Sequence, residues 1–179
     1  MKKVSQVIPK EQKEILVEAL KIMENPINDQ VCDSRDLIEY KEYLENEILE
    51  AYIEWAENHN DFKDEGDIDL QIPDTFEEIE FLAEEAFTTT CEDITSEYDA
   101  IEDFCNELES YGDFEYGEGI ISENFFTEYA EELTKDCGYL PDNLPSFIAD
   151  NIDWKGVADD LKVDYTEADY EGTTYYMRA

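Results

Sequence analysis

The sequence predicts a mainly α fold that ends in a small α+β domain with a terminal β-hairpin. Three observations carry that prediction: apolar residues at spacings of three and four through most of the first 110 positions, glycines clustered at 112, 117 and 119, and a Thr-, Tyr- and Val-rich tail around Gly172. Apolar residues make up 42% of the 179-residue chain, with twelve Tyr and nine Phe, which is enough to fill a core. An acidic disordered tail lacks those residues and cannot offset the entropy of ordering.

In chain order, Pro9 is followed by Ile15, Leu16, Ala19, Leu20 and Met23, a helical pattern that stops near Asn25-Pro26 because the residue before proline is pushed out of the helical region. Ser34 is placed to cap a second helical region. There Leu37, Ile38, Tyr40, Leu44, Ile48, Leu49, Tyr52, Ile53 and Trp55 keep helical spacing to about Asn58, as one helix or as two with a bend. Asn58 to Gln71, which contains Gly66, reads as a loop. Pro73-Asp74-Thr75 then starts the longest predicted element. Thr75 and Glu78 have the spacing of a capping box, and an apolar stripe runs from Phe76 through Ile79, Leu82, Phe87, Cys91, Ile94, Tyr98, Ile101, Phe104 and Cys105 to Leu108.

The glycines divide the chain into residues 1–111, a linker at 112–121 and a second domain at 122–179. In that domain Phe125, Phe126, Tyr129, Ala130 and Leu133 form a helix stripe, and Pro141 and Pro145 bracket a loop. Trp154, Val157, Ala158 and Leu161 form a short helix, and 163–166 with 173–177 form the hairpin.

Charge is the anomaly. Fifty acidic residues against twelve basic ones give a net −38, a self-repulsion that destabilises a compact state. The imbalance is uneven: five lysines stand in the first 21 residues, whereas Asp64 to Thr134 holds 25 acids and no Lys or Arg. Such a stretch repels nucleic acid and anionic membrane surfaces, so its partner should be basic. No apolar run approaches the roughly 20 residues of a membrane span, and no apolar segment follows Lys2-Lys3, so a cytosolic protein is expected. Cys32, Cys91, Cys105 and Cys137 are far apart, without a C-x-x-C pair, and read as ordinary reduced cysteines.

Enzymatic readings lack their parts. The single histidine, His59, reads as a surface residue beside a loop, and there is no G-x-S-x-G, H-E-x-x-H or glycine-rich phosphate loop. A calcium loop starting at Asp61 places Gly66 correctly, but puts Lys63 at the third position and Ile72 at the twelfth, where a bidentate Glu belongs. No catalytic residue, metal site or cofactor is therefore assigned.

The acids on the long predicted helix avoid its apolar stripe and are expected to face solvent: Glu77, Glu78, Glu80, Glu84, Glu85, Glu92, Asp93, Glu97, Asp99, Glu102, Asp103, Glu107 and Glu109. Asp113, Glu128, Glu131, Glu132, Asp159 and Asp160 extend the set. A helix of about 34 residues would span about 50 Å. Duplex DNA carries one charge per roughly 1.7 Å of axis, so −38 matches about 65 Å of it, near 19 base pairs. A merely solvated face mixes signs, and i,i+4 Glu-to-Lys pairs are absent from Asp64 to Thr134. Salt adaptation fits less well with lysines clustered at one end.

The order Asp33-Ser34-Arg35-Asp36-Leu37, Gly66-Asp67-Ile68-Asp69-Leu70, Ile72-Pro73-Asp74-Thr75 and Ala100-Ile101-Glu102-Asp103-Phe104 resembles the Ocr-type antirestriction proteins over about residues 12–110. Phe125-Phe126-Thr127-Glu128-Tyr129-Ala130-Glu131-Glu132, Ile152-Asp153-Trp154, Val157-Ala158-Asp159-Asp160-Leu161 and the tail Tyr175-Tyr176-Met177-Arg178 resemble the closing part of ArdA-type antirestriction proteins over about residues 122–179. The earlier sheet-containing ArdA domains have no counterpart in these resemblances. The two resemblances imply a phage- or mobile-element-encoded, dimeric DNA mimic. Such a mimic inhibits type I restriction-modification enzymes, or BREX-type methyltransferases, in the host cytoplasm without binding nucleic acid itself. An acidic inhibitor of another basic nucleic-acid-binding protein and a carboxylate-ligand metal enzyme are the alternatives.

Overall fold

Two neighbouring isoleucines, Ile120 and Ile121, are both buried and belong to different parts of the core, because successive side chains of a strand point to opposite faces. They sit on β2 (Gly119–Ser122), an inner strand of a four-stranded antiparallel sheet. The computed structural model describes residues 23–27, 30–62, 70–82, 85–111, 113–141 and 143–179. Within them β1 (Val31–Asp33), β2, β3 (Tyr165–Tyr170) and β4 (Thr173–Arg178) stand in the order β1-β2-β4-β3. Register pairs Cys32 with Ile120, Ile121 with Tyr176 and Ala168 with Tyr175.

Each face of the sheet is covered by helices. On one, Ile120, Ala168, Tyr170, Tyr175 and Met177 pack with α1 (Ser34–Phe62) and α4 (Glu92–Glu109), which run antiparallel. On the other, Ile121 and Tyr176 pack with Phe126 and Ala130 of α5 (Phe126–Asp136) and Ala158 of α7 (Trp154–Leu161). Between α1 and α4 lie a 3-10 turn (Phe76–Glu78), α2 (Ile79–Leu82) and α3 (Glu85–Thr90), and α6 (Ser146–Ala149) precedes α7. The fold is α+β.

Several expectations change. The long helix expected from Thr75 is divided into a 3-10 turn and three helices, the last beginning after a turn at Cys91. Its longest part, α4, has 18 residues and spans about 27 Å rather than about 50 Å. The longest described helix is α1, with 29 residues and no division into two. It runs past Asn58, so His59 lies on its last turn, stacked on Trp55 at 5.3 Å between ring centroids. Thr75 makes no side-chain cap; Glu78 reaches back to the amide of Asp74 instead.

Ser34 does not cap its own helix either. Asp33 accepts from the Arg35 amide at 2.9 Å, while Ser34 is turned inward. The stretch expected as a linker, 112–121, carries a 3-10 turn (Phe114–Tyr116) and strand β2, and so joins the segments on either side through one sheet. The terminal hairpin is present, with strands of six residues each and a two-residue turn in which Glu171 (φ 47°) and Gly172 (φ 82°) both take the left-handed conformation such turns need. Val163, expected in its first strand, lies in a 3-10 turn (Lys162–Asp164) instead, where it is 82% exposed. The predicted helix before Met23 and the loop core 63–69 lie outside the described residues. Among the described residues no helix is long and apolar enough to cross a membrane.

Candidate functional site

On α1, a turn of about 100° per residue places Asp36, Glu39, Glu47, Glu50, Glu54, Glu57 and Asp61 within an arc of about 80°. Six of these seven are exposed and Glu47 is half-buried. The buried residues Leu37, Tyr40, Leu44, Ile48 and Tyr52 occupy an adjoining arc centred about 120° from the acids, and their packing holds the row outward. The row runs about 37 Å along the helix.

A second row stands on α4, where Glu92, Asp99, Asp103 and Glu107 also fall within an arc of about 80° and are all exposed. Their opposite face buries Ile101, Phe104, Cys105 and Leu108. Glu107 and Glu109 occupy the last turn of α4 and no basic residue stands there, although a helix C-terminus favours positive charge. The sequence retains acids where helix electrostatics disfavour them.

Not every expected carboxylate is free. Glu97 falls within the buried arc of α4 and Glu102 at its edge, and both are half-buried. Glu97 accepts from Tyr40 at 2.6 Å and Asn25 at 3.3 Å; Glu102 accepts from Tyr98 at 3.0 Å and pairs with Lys41 at 3.2 Å. They tie α4 to α1 and residue 25, and the expectation that they face solvent is corrected. Glu131 is half-buried and paired with Lys135, and Glu78 is bonded to backbone. Glu77, Asp93, Glu109, Asp113, Glu128, Glu132, Asp159 and Asp160 are exposed as expected. Glu80 and Glu85 fall in α2 and α3, and Glu84 lies outside the described residues.

The α1 row was missed by the sequence reading, which followed the basic-free stretch from Asp64 onward. Its signal was the recurrence of acids at three and four residues from Glu47 to Asp61.

Two of the described cations are held in ion pairs. Arg35 pairs with Asp33 at 2.6 Å and Lys162 with Glu123 at 3.2 Å. Asp33 is held below the ordinary carboxylate range, first by the side-chain hydrogen bond from Arg35. Asp99 is pushed up, first by desolvation and then by the charges of Glu102 and Asp103. The Tyr98 hydroxyl is also raised, by burial and then by its hydrogen bond to Glu102.

A groove of about 520 Å³ opens between α1, the Phe76–Glu78 turn, α3 and α4, with carboxylates on its walls. Among the described residues, no group of three or more His, Cys, Asp or Glu converges as a metal cage. No family model, curated protein or solved structure matches the chain.

Proposed function

We propose that the protein is a DNA mimic that inhibits a bacterial type I restriction-modification enzyme, or a BREX-type methyltransferase, by occupying the basic cleft that holds DNA. The observation that carries the reading is the pair of outward carboxylate rows on α1 and α4, each held by a buried face, in a chain of net charge −38. A basic cleft built to neutralise phosphates is attracted to any ordered anionic surface of similar extent, and binding releases counterions on both sides.

Charge density limits how the rows can act. Seven acids along about 37 Å compare with about 22 charges on the same length of duplex, so α1 alone is too sparse. The reading therefore uses both rows, the acids of α5 and α7, and a second copy of the chain in a homodimer. The resemblances to Ocr-type and ArdA-type proteins support this target class. In this reading the protein is phage- or mobile-element-encoded, acts stoichiometrically in the host cytoplasm, and needs no cofactor and no catalytic residue.

Displacement of a fluorescent duplex from a purified type I restriction enzyme tests it. The protein should release the duplex at near-stoichiometric amounts, and its affinity should fall steeply with added salt. Retention of the duplex at every concentration contradicts the reading. Release from an unrelated basic nucleic-acid-binding protein instead would favour a general acidic inhibitor.

A further inference from the structure

We propose that the groove between α1, the Phe76–Glu78 turn, α3 and α4 receives an arginine side chain, and so grips one guanidinium of the basic protein partner. The inference rests on the proposed function for the partner being basic, and it names one contact. The groove's volume, about 520 Å³, is that of a ligand-sized site, which runs from about 300 to 1,000 Å³. Its floor is apolar and aromatic: Ile48, Ile79 and Phe87 are buried, and Phe76 packs on Tyr98 at 5.0 Å between ring centroids.

Its walls carry Glu45, Glu77, Asp99 and Glu102 against one cation, Lys41. Carboxylate walls exclude an anion, and a small hydrated metal ion gains nothing from an aromatic floor. A guanidinium satisfies both parts, because its faces are weakly hydrated and stack on rings while its edges donate to carboxylates.

Lys41 shows how a cation sits there. Its Nζ is 3.2 Å from Glu102 Oε1 and 5.8 Å from the centre of the Tyr98 ring, so a carboxylate and a π face act on one charge. Glu45, Glu77 and Asp99 remain in the groove with no second cation among its lining residues. Desolvation, and then the charges of Glu102 and Asp103, push the Asp99 carboxyl up.

The test is an NMR titration of the full-length, isotopically labelled protein with N-acetylarginine amide and with its neutral isostere, N-acetylcitrulline amide. Arginine should give saturable shifts centred on Thr88, Thr95 and Tyr98, and citrulline should bind at least about tenfold more weakly, having lost the charge. Lys41→Ala should tighten arginine binding roughly two- to fivefold by removing a competing ion pair. Glu77→Gln should weaken it with an unchanged melting temperature, and Asp99→Asn should weaken it without lowering the melting temperature, both positions being exposed.

Equal binding of citrulline, or shifts spread without saturation over both acid rows, would overturn the proposal. Arginine binding by a protein that leaves DNA on the restriction enzyme keeps the groove and removes the DNA-mimic reading. Displacement of DNA without local arginine binding removes the groove alone.

Discussion

Tyr40 donates its hydroxyl to Glu97 Oε1 at 2.6 Å across the α1–α4 interface, which makes Glu97 a structural carboxylate. Glu97→Ala should therefore cost about 1–3 kcal/mol in chemical denaturation, because Tyr40 and Asn25 lose their acceptor. Glu92→Ala, on the exposed row one turn and a half earlier, should stay within about 0.5 kcal/mol. Equal effects of the two would mean that the interface does not depend on this bond.

Ser34 links three segments. Its Oγ donates to the Phe114 carbonyl at 2.6 Å and accepts from the Glu118 amide at 2.8 Å, at a fully buried position. Ser34→Ala leaves both groups without a partner and should destabilise by roughly 2–3 kcal/mol. Ser34→Thr, which keeps the hydroxyl, should recover part of that loss unless its added methyl cannot be packed. A melting temperature unchanged in Ser34→Ala would contradict the account of this joint.

Much of the helical part was legible. The stripes of α1, α4, α5 and α7 lie where spacings of three and four place them, because one buried face per helix is the condition for its packing. Strands β1 and β2 were not, since three and four residues are too short for alternation to register, and Ile120 and Ile121 are buried on opposite faces. The break near Cys91 was hidden by an apolar stripe that continues through it. Of the site, exposure of the α4 row was legible, while the partners of Glu97 and Glu102 were not, because they depend on tyrosines 57 residues away and one turn away.

Thiol reactivity should follow burial. Burial is the largest cause that pushes the Cys32 thiol up to about 12 and the Cys105 thiol up to about 11, so both lack the reactive thiolate near neutral pH. In the folded protein iodoacetamide should label exposed Cys137 first, and Cys32 and Cys105 only after denaturation, as read by peptide mass spectrometry. Early labelling of Cys32 would contradict the packing of β1.

The pH response has a defined sign. Asp99 is raised in the folded state, so the folded protein takes up its proton first; the contribution is fully present below the unfolded value, about 4, and is lost as pH rises through the folded value. Asp33 is lowered, so its contribution is present above the unfolded value and lost as pH falls through the folded one. Mild acidification from neutral should therefore raise the melting temperature, and Asp99→Asn should reduce that gain. Added salt at neutral pH should raise it too, by screening exposed acids, and a flat salt response would mean the carboxylates are neutralised.

The central claim is that rows of carboxylates act together on a basic cleft. Its most direct test measures the dissociation constant for a purified type I restriction enzyme as the rows are neutralised. Combined Glu47→Gln, Glu50→Gln, Glu54→Gln and Glu57→Gln on α1, or Glu92→Gln, Asp99→Asn, Asp103→Asn and Glu107→Gln on α4, should each raise it more than about tenfold, while any one of these substitutions raises it less than about threefold. Loss of binding from a single substitution, or full binding by both combined variants, would contradict the account.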